Sequence, residues 1–229
     1  MNLSCMVAML CVAAAQPAEA ALVKYGFSGT LTETSSIHVP SLAVGNDYTA
    51  TFTVDTSKLG VPYLPLSNTG KYEGALTEFS FQVQGLTQSF TLTATGDAYT
   101  RQFNSRDRFQ LVSLDVNGTV DGWSFFSLGV WFDYPEFTLF DDVSETLSGI
   151  PTLPSTGLLS DSFGQFRIDV GEPSAKLAMQ FNIRGGIVPL TPVSTVPTPS
   201  SLALLGVAML AMTGAARRRR MPAEPAGIR

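Results

Sequence analysis

Residues able to do covalent chemistry are few in this chain and poorly spaced for it. His38 is the single histidine, next to Val39-Pro40. A Ser-His-Asp arrangement would depend on it, because the base must reach the nucleophile. One histidine also excludes a zinc site built on several. Asn68-Thr69-Gly70-Lys71 partly matches a phosphate-binding loop, but Pro65 stands where the first glycine belongs and Tyr72 where the Ser or Thr belongs. Without a following helix the cradle cannot form. Asp115-Val116-Asn117-Gly118-Thr119-Val120-Asp121 places oxygen ligands at alternate positions, as calcium loops do. It lacks the sixth-position glycine and the terminal acid, and a hairpin accounts for the same residues. Asp133, Glu136, Asp141 and Asp142 gather carboxylates that suit calcium or a glycosidase pair, although acidic loops are more often simply solvated. No catalytic residue, cofactor or metal is therefore expected.

Non-covalent recognition is better provided for. Trp123, Trp131 and Tyr134 are aromatic contacts of the kind on which lectin-type β-domains hold sugars, with Asp133 as a hydrogen-bonding neighbour. The competing expectation is that both tryptophans fill the core.

The elements that must position these residues have a period of two. Tyr48, Ala50, Phe52 and Val54 alternate with Thr49, Thr51, Thr53 and Asp55. Thr77, Phe79, Phe81 and Val83 alternate with Glu78, Ser80, Gln82 and Gln84, and similar runs recur at 90–94, 165–170 and 175–184. Strands with one wet face belong to antiparallel sheets, and no helical period of useful length runs from 21 to 189. The expected fold is all-β: an antiparallel β-sandwich or jelly-roll-like domain of eight or nine strands. Asn117-Gly118 suits a type I′ turn joining 109–116 to 119–132. The second of these strands is apolar on both faces, with Phe125 and Trp131 on one and Phe126, Leu128 and Val130 on the other, so it reads as central.

Composition narrows the class. Residues 21–196 carry 9 Lys and Arg against 17 Asp and Glu, a net −8, whereas the whole chain of 229 residues is −5. An acidic domain repels nucleic acid. Both cysteines, Cys5 and Cys11, precede that domain, which must hold together by its core alone.

The two ends read as addresses. Residues 3–15 carry no charge and are too short to span a membrane as an ordinary helix, which needs roughly 20 residues. Ala18 and Ala20 supply small side chains at the −3 and −1 positions of a signal-peptide cleavage site. At the other end, Val196, Pro197, Thr198, Pro199, Ser200 and Ser201 lead into an uncharged run, 202–216, and then Arg217, Arg218, Arg219 and Arg220. A helix over 200–216 reaches about 25 Å at 1.5 Å per residue, enough to cross a bilayer with some local thinning. The arginine block holds that end in the cytoplasm. Leu153-Pro154-Ser155-Thr156-Gly157 spells a sortase pentapeptide, but the apolar span starts 45 residues later, so it reads as a loop.

The succession over 196–220 resembles the PEP-CTERM sorting signal of exopolysaccharide-producing Gram-negative bacteria. Thr198 replaces the family's usual glutamate, and nine further residues follow the basic block. The resemblance implies processing by an exosortase, with cleavage near the Pro-x-Pro motif. The expected organisation is a signal peptide at 1–20, a β-domain at 21–187 and a Pro/Thr-rich linker with sorting motif at 188–199. A single transmembrane helix at 200–216 and a basic cytoplasmic tail at 217–229 complete it. The expected partners are the Sec export machinery, an exosortase-type enzyme, the inner membrane in passing, and exopolysaccharide. The expected function is that of an exported, non-enzymatic cell-surface or matrix protein, with a carbohydrate-binding module or adhesin as the alternative.

Overall fold

The computed structural model describes residues 22–63, 68–84, 91–103, 105–168 and 176–193. The expected signal peptide, the expected sorting motif at 196–201, the expected span at 200–216 and Arg217 to Arg220 lie outside the described residues. Among the described residues no helix is long and apolar enough to cross a membrane.

Strands dominate, as the alternation requires. They are β1 (Leu22–Thr34), β2 (Asp47–Asp55), β3 (Val61–Pro62), β4 (Thr69–Val83), β5 (Thr91–Phe103) and β6 (Arg106–Asn117). After these come β7 (Thr119–Val120), β8 (Trp123–Pro135), β9 (Phe163–Ile168), β10 (Lys176–Asn182) and β11 (Arg184–Val193). A short 3-10 helix, Val143–Leu147, sits in the connection from β8 to β9. All pairings are antiparallel, in the order β1-β2-β4-β5-β6-β8-β9-β10. β10 then pairs back onto β1, Leu31 against Phe181, which closes the sheet. β11 continues β10 and pairs with the first half of β1, so that Leu22 faces Val193.

The expected antiparallel all-β domain is therefore present. Its long strands follow one another in chain order, a meander, and not along the crossed path of a jelly roll. The two expected β layers are opposite walls of one closed sheet, and they meet through aromatic rings. Phe27 of β1 and Phe52 of β2 each lie 5.4 Å, centroid to centroid, from Phe132 of β8. Phe81 of β4 lies 5.1 Å from Phe166 of β9. Such pairs add about 0.5–1.5 kcal/mol beyond their buried area.

Three local expectations need correction. The tight turn of the β6–β8 hairpin is Asp121-Gly122, not Asn117-Gly118. Val120 pairs with Trp123, and both turn residues have positive φ, 52° and 83°. Gly118, at φ 125°, instead separates β6 from β7. Next, a bulge between Phe125 and Ser127 resets the parity of β8, so Phe125 points inward with Leu128, Val130, Phe132 and Tyr134. Finally, the linker does not begin at 188: Val188, Pro189 and Leu190 pair with β1 as part of β11. Among the described residues β11 has no strand on its other side, and proline, which cannot donate to a ladder, is tolerated at such an edge.

The β8–β9 connection seals one end of the barrel by meeting inward-facing hydroxyls. Tyr72 donates to the carbonyls of Thr146 (2.7 Å) and Gly149 (2.8 Å), and Thr100 donates to Thr146 (2.6 Å). Tyr134 donates to the Pro154 carbonyl at 3.1 Å. Asp107, wholly buried on β6, accepts the backbone N–H groups of Leu139 and Phe140. The stretch spelling a sortase pentapeptide thus lies in a packed loop, with Leu153 buried.

Candidate binding face

The outer side of β4, β5, β6, β8 and β9 carries polar and aromatic groups aligned in register. The register fixes their placement, because side chains directly opposite one another on adjacent strands share a face. One rung runs Lys71, Tyr99, Gln110, Trp131, Phe163 across five strands. The neighbouring rung runs Thr69, Arg101, Arg108, Asp133. Between them on each strand lie inward residues such as Thr100, Phe109 and Phe132, all buried.

Trp131 lies on this outer wall. Its ring stacks on Phe163 at 4.7 Å and 21°. It also lies over Gly129, where any Cβ would meet the indole. Asp133 belongs to the outer rung yet is only 1% exposed, because two arginines cover it. Arg108 clamps it through Nε at 2.6 Å and a terminal nitrogen at 2.9 Å, a bidentate pair. Arg106 reaches both Asp133 and Asp161, and the Asp161 carboxylate beside it pushes its pKa up. At the other edge, Lys71 bridges Asp97 at 3.0 Å, which raises the pKa of its ammonium.

A cleft of about 230 Å³ opens where β3 meets this wall, lined by Tyr63, Thr69, Tyr99, Arg101, Arg108, Gln110 and Val112. Tyr63 and Tyr99 meet edge to face at 5.4 Å. Partial burial raises the Tyr99 pKa, so its hydroxyl is neutral at physiological pH.

The three aromatic residues expected to contact sugar do not share a site. Trp123 and Trp131 lie at opposite ends of β8, about 25 Å apart at the rise of an extended strand. Trp123 packs partly against the core and meets the His38 ring edge-on at 4.9 Å. Tyr134 is wholly buried, with its hydroxyl on Pro154, and presents no face to a ligand. Trp131 alone of the three stands on the outer wall. The expected hydrogen-bonding neighbour, Asp133, is beside it but already saturated by arginines.

Among the described residues the candidate catalytic groups are not drawn into one set. His38 Nδ1 lies 2.8 Å from Ser35 Oγ within one turn, and among the described residues no carboxylate bonds the ring to orient it. Asp141 and Glu145 are joined through a backbone N–H at 2.7 Å. Among the described residues no group of three or more His, Cys, Asp and Glu is placed to hold a metal. Thr69 and Lys71 of the partial phosphate-loop match are strand residues of β4.

Sequence reasoning passed over Tyr63, Tyr99, Arg101, Arg108 and Gln110. The signal was available: in both 99–103 and 106–110, arginine alternates with core positions on the wet face of a strand. Comparison with protein-family models, with curated proteins and with solved structures finds no match to this chain.

Proposed function

We propose that this chain is an exported, non-enzymatic protein of the cell surface or extracellular matrix. It is sorted by an exosortase-type system and associates with exopolysaccharide. The observation that carries the delivery half is the tail, in which Pro197-Thr198-Pro199, the uncharged run and Arg217 to Arg220 follow in direct succession. Two features of the domain support it. Leu22 and Val193 pair across β1 and β11, so the first and last described residues of the domain lie side by side at one end of the barrel. The sheet also closes on itself, which removes most of the edges through which an exported β-protein aggregates.

A carbohydrate-holding role for the outer wall is favoured by Trp131. A half-buried indole supported by Phe163 and Gly129 is a rigid apolar plate set among Gln110, Arg108 and Asp133. Sugar rings present C–H faces to such plates while their hydroxyls bond to polar neighbours.

Fractionation tests the delivery half. The whole chain is expected in the envelope and on the surface of its host. A chain ending at Val196 is expected to pass wholly into the soluble exported fraction. An unchanged distribution after removal of the tail would sink the proposal.

A further inference from the structure

We propose that the cleft between β3 and the outer wall binds the carboxylate of an acidic sugar residue, a uronate. Arg101 is the anchor, with Thr69, Tyr63, Tyr99 and Gln110 around it. The inference rests on reading the wall as glycan-holding, and it adds the chemical class of the glycan.

The first observation is a pair of like charges. Arg101 and Arg108 stand directly opposite each other on β5 and β6, a placement that is unfavourable in a sheet unless something offsets it. Both guanidinium groups are held over one ring, Phe103, at 4.1 Å and 5.1 Å from its centroid. Arg108 is neutralised by the buried Asp133. Arg101 has no ion pair among the described residues, and its Nε is buried without a hydrogen-bond partner. The pair therefore keeps one uncompensated positive charge, fixed in direction by the stacking on Phe103. A planar guanidinium so held matches the two oxygens of a carboxylate.

The second observation is independent. Thr69 lines the same cleft and is 5% exposed, and its buried Oγ1 too lacks a hydrogen-bond partner. Buried polar atoms are nearly always paired in folded proteins. Two unpaired atoms, a cationic N–H and a hydroxyl, thus belong to residues that line one cleft.

The remaining walls specify a sugar in preference to a bare anion. Tyr63, 43% exposed, and Tyr99 give an aromatic side to the cleft. Gln110 supplies both an amide donor and an acceptor for hydroxyls. Gln110 is also the register partner of Trp131, so a chain seated by one uronate in the cleft continues across the wall onto the indole.

The test uses the full chain, purified in detergent, on immobilised polygalacturonate, on its fully methyl-esterified form and on dextran sulfate. Retention is expected on polygalacturonate and is expected to be about tenfold weaker on the ester, the loss of one charge-assisted contact. Arg101→Gln is expected to lower retention on polygalacturonate about tenfold and leave the ester unchanged, with the thermal midpoint preserved. Arg101→Lys is expected to fall between the two, because it keeps the charge but not the fork. Trp131→Ala is expected to weaken both polygalacturonate and ester. Equal retention of acid and ester would overturn the uronate inference while leaving the glycan-holding wall standing. Retention of neither would overturn both. Dextran sulfate retained as well as polygalacturonate, and equally sensitive to Arg101→Gln, would reduce the cleft to a general anion site. An Arg101→Gln chain that keeps its fold and its full retention would remove the anchor.

Discussion

Phe132→Ala is expected to cost about 3–5 kcal/mol of stability, the range for truncating a buried aromatic residue. Trp131→Ala, one residue earlier on the same strand, is expected to cost only about 1 kcal/mol, the worth of one aromatic stack. The asymmetry follows from the pleat. Phe132 is wholly buried and lies within ring-packing distance of Phe27, Phe52 and Phe109, so its loss opens the contact between opposite walls. Trp131 faces outward and touches Phe163 and the floor at Gly129. Domain stability is typically about 5–15 kcal/mol, and both cysteines precede the barrel, so no disulfide within it compensates. Urea denaturation of the two variants checks this. Equal losses would place Trp131 in the core and remove it from any binding face.

Alkaline pH is expected to destabilise the barrel steeply. Tyr25, Tyr48, Tyr72 and Tyr134 are each no more than 1% exposed. Burial, which disfavours the phenolate, raises all four pKa values above 10.0. The folded state therefore keeps protons that the unfolded chain releases above about pH 10. Their contribution is complete below that pH and is lost as pH rises through the raised folded values. Each tyrosine contributes a slope of up to about 1.4 kcal/mol per pH unit, so four together approach about 5 kcal/mol per unit. The urea midpoint should stay level up to about pH 10 and then fall sharply, with the tyrosinate absorbance of the four buried rings rising at the unfolding transition and not before it. Tyr48→Phe should remove about a quarter of the slope. A flat midpoint through pH 12, or smooth titration of all four rings in the folded state, would contradict the packing described.

These tyrosines also show what the sequence carries and what it withholds. Alternation located β2, β4, β9 and β10 well, because a strand with one wet face writes its period directly into the chain. Closure is not written there. It depends on Leu22 meeting Val193 and Leu31 meeting Phe181, pairings between distant ends that no local period encodes. At that seam any Cβ on Gly29 would run into the Asn182 carbonyl, and Thr30 and Tyr48 bond to Asn182. The prolines of β11 disguised a strand as a linker. The hairpin had two turn signals within six residues, Asn117-Gly118 and Asp121-Gly122, and the pairing of Val120 with Trp123 decided for the second.

The candidate binding face was partly legible. Trp131 and Asp133 were visible as residue types, but the parity of β8 was shifted by the bulge at Phe125. Tyr134 was lost to the core for the same kind of reason, since inward and outward positions on one strand differ by a single residue. Arg101 and Arg108 read individually as ordinary surface charges. Their meaning came from being opposed in register with only one of them neutralised.

On the proposed route, a removable tail delivers this barrel to the outside of the cell. The most direct measurement is the intact mass of the protein recovered from the envelope and the medium of its native host. A mass beginning at Ala21 and lacking residues 202–229 is the predicted result. A mass that still includes 202–229 in every fraction would contradict it and leave a permanent membrane anchor in its place.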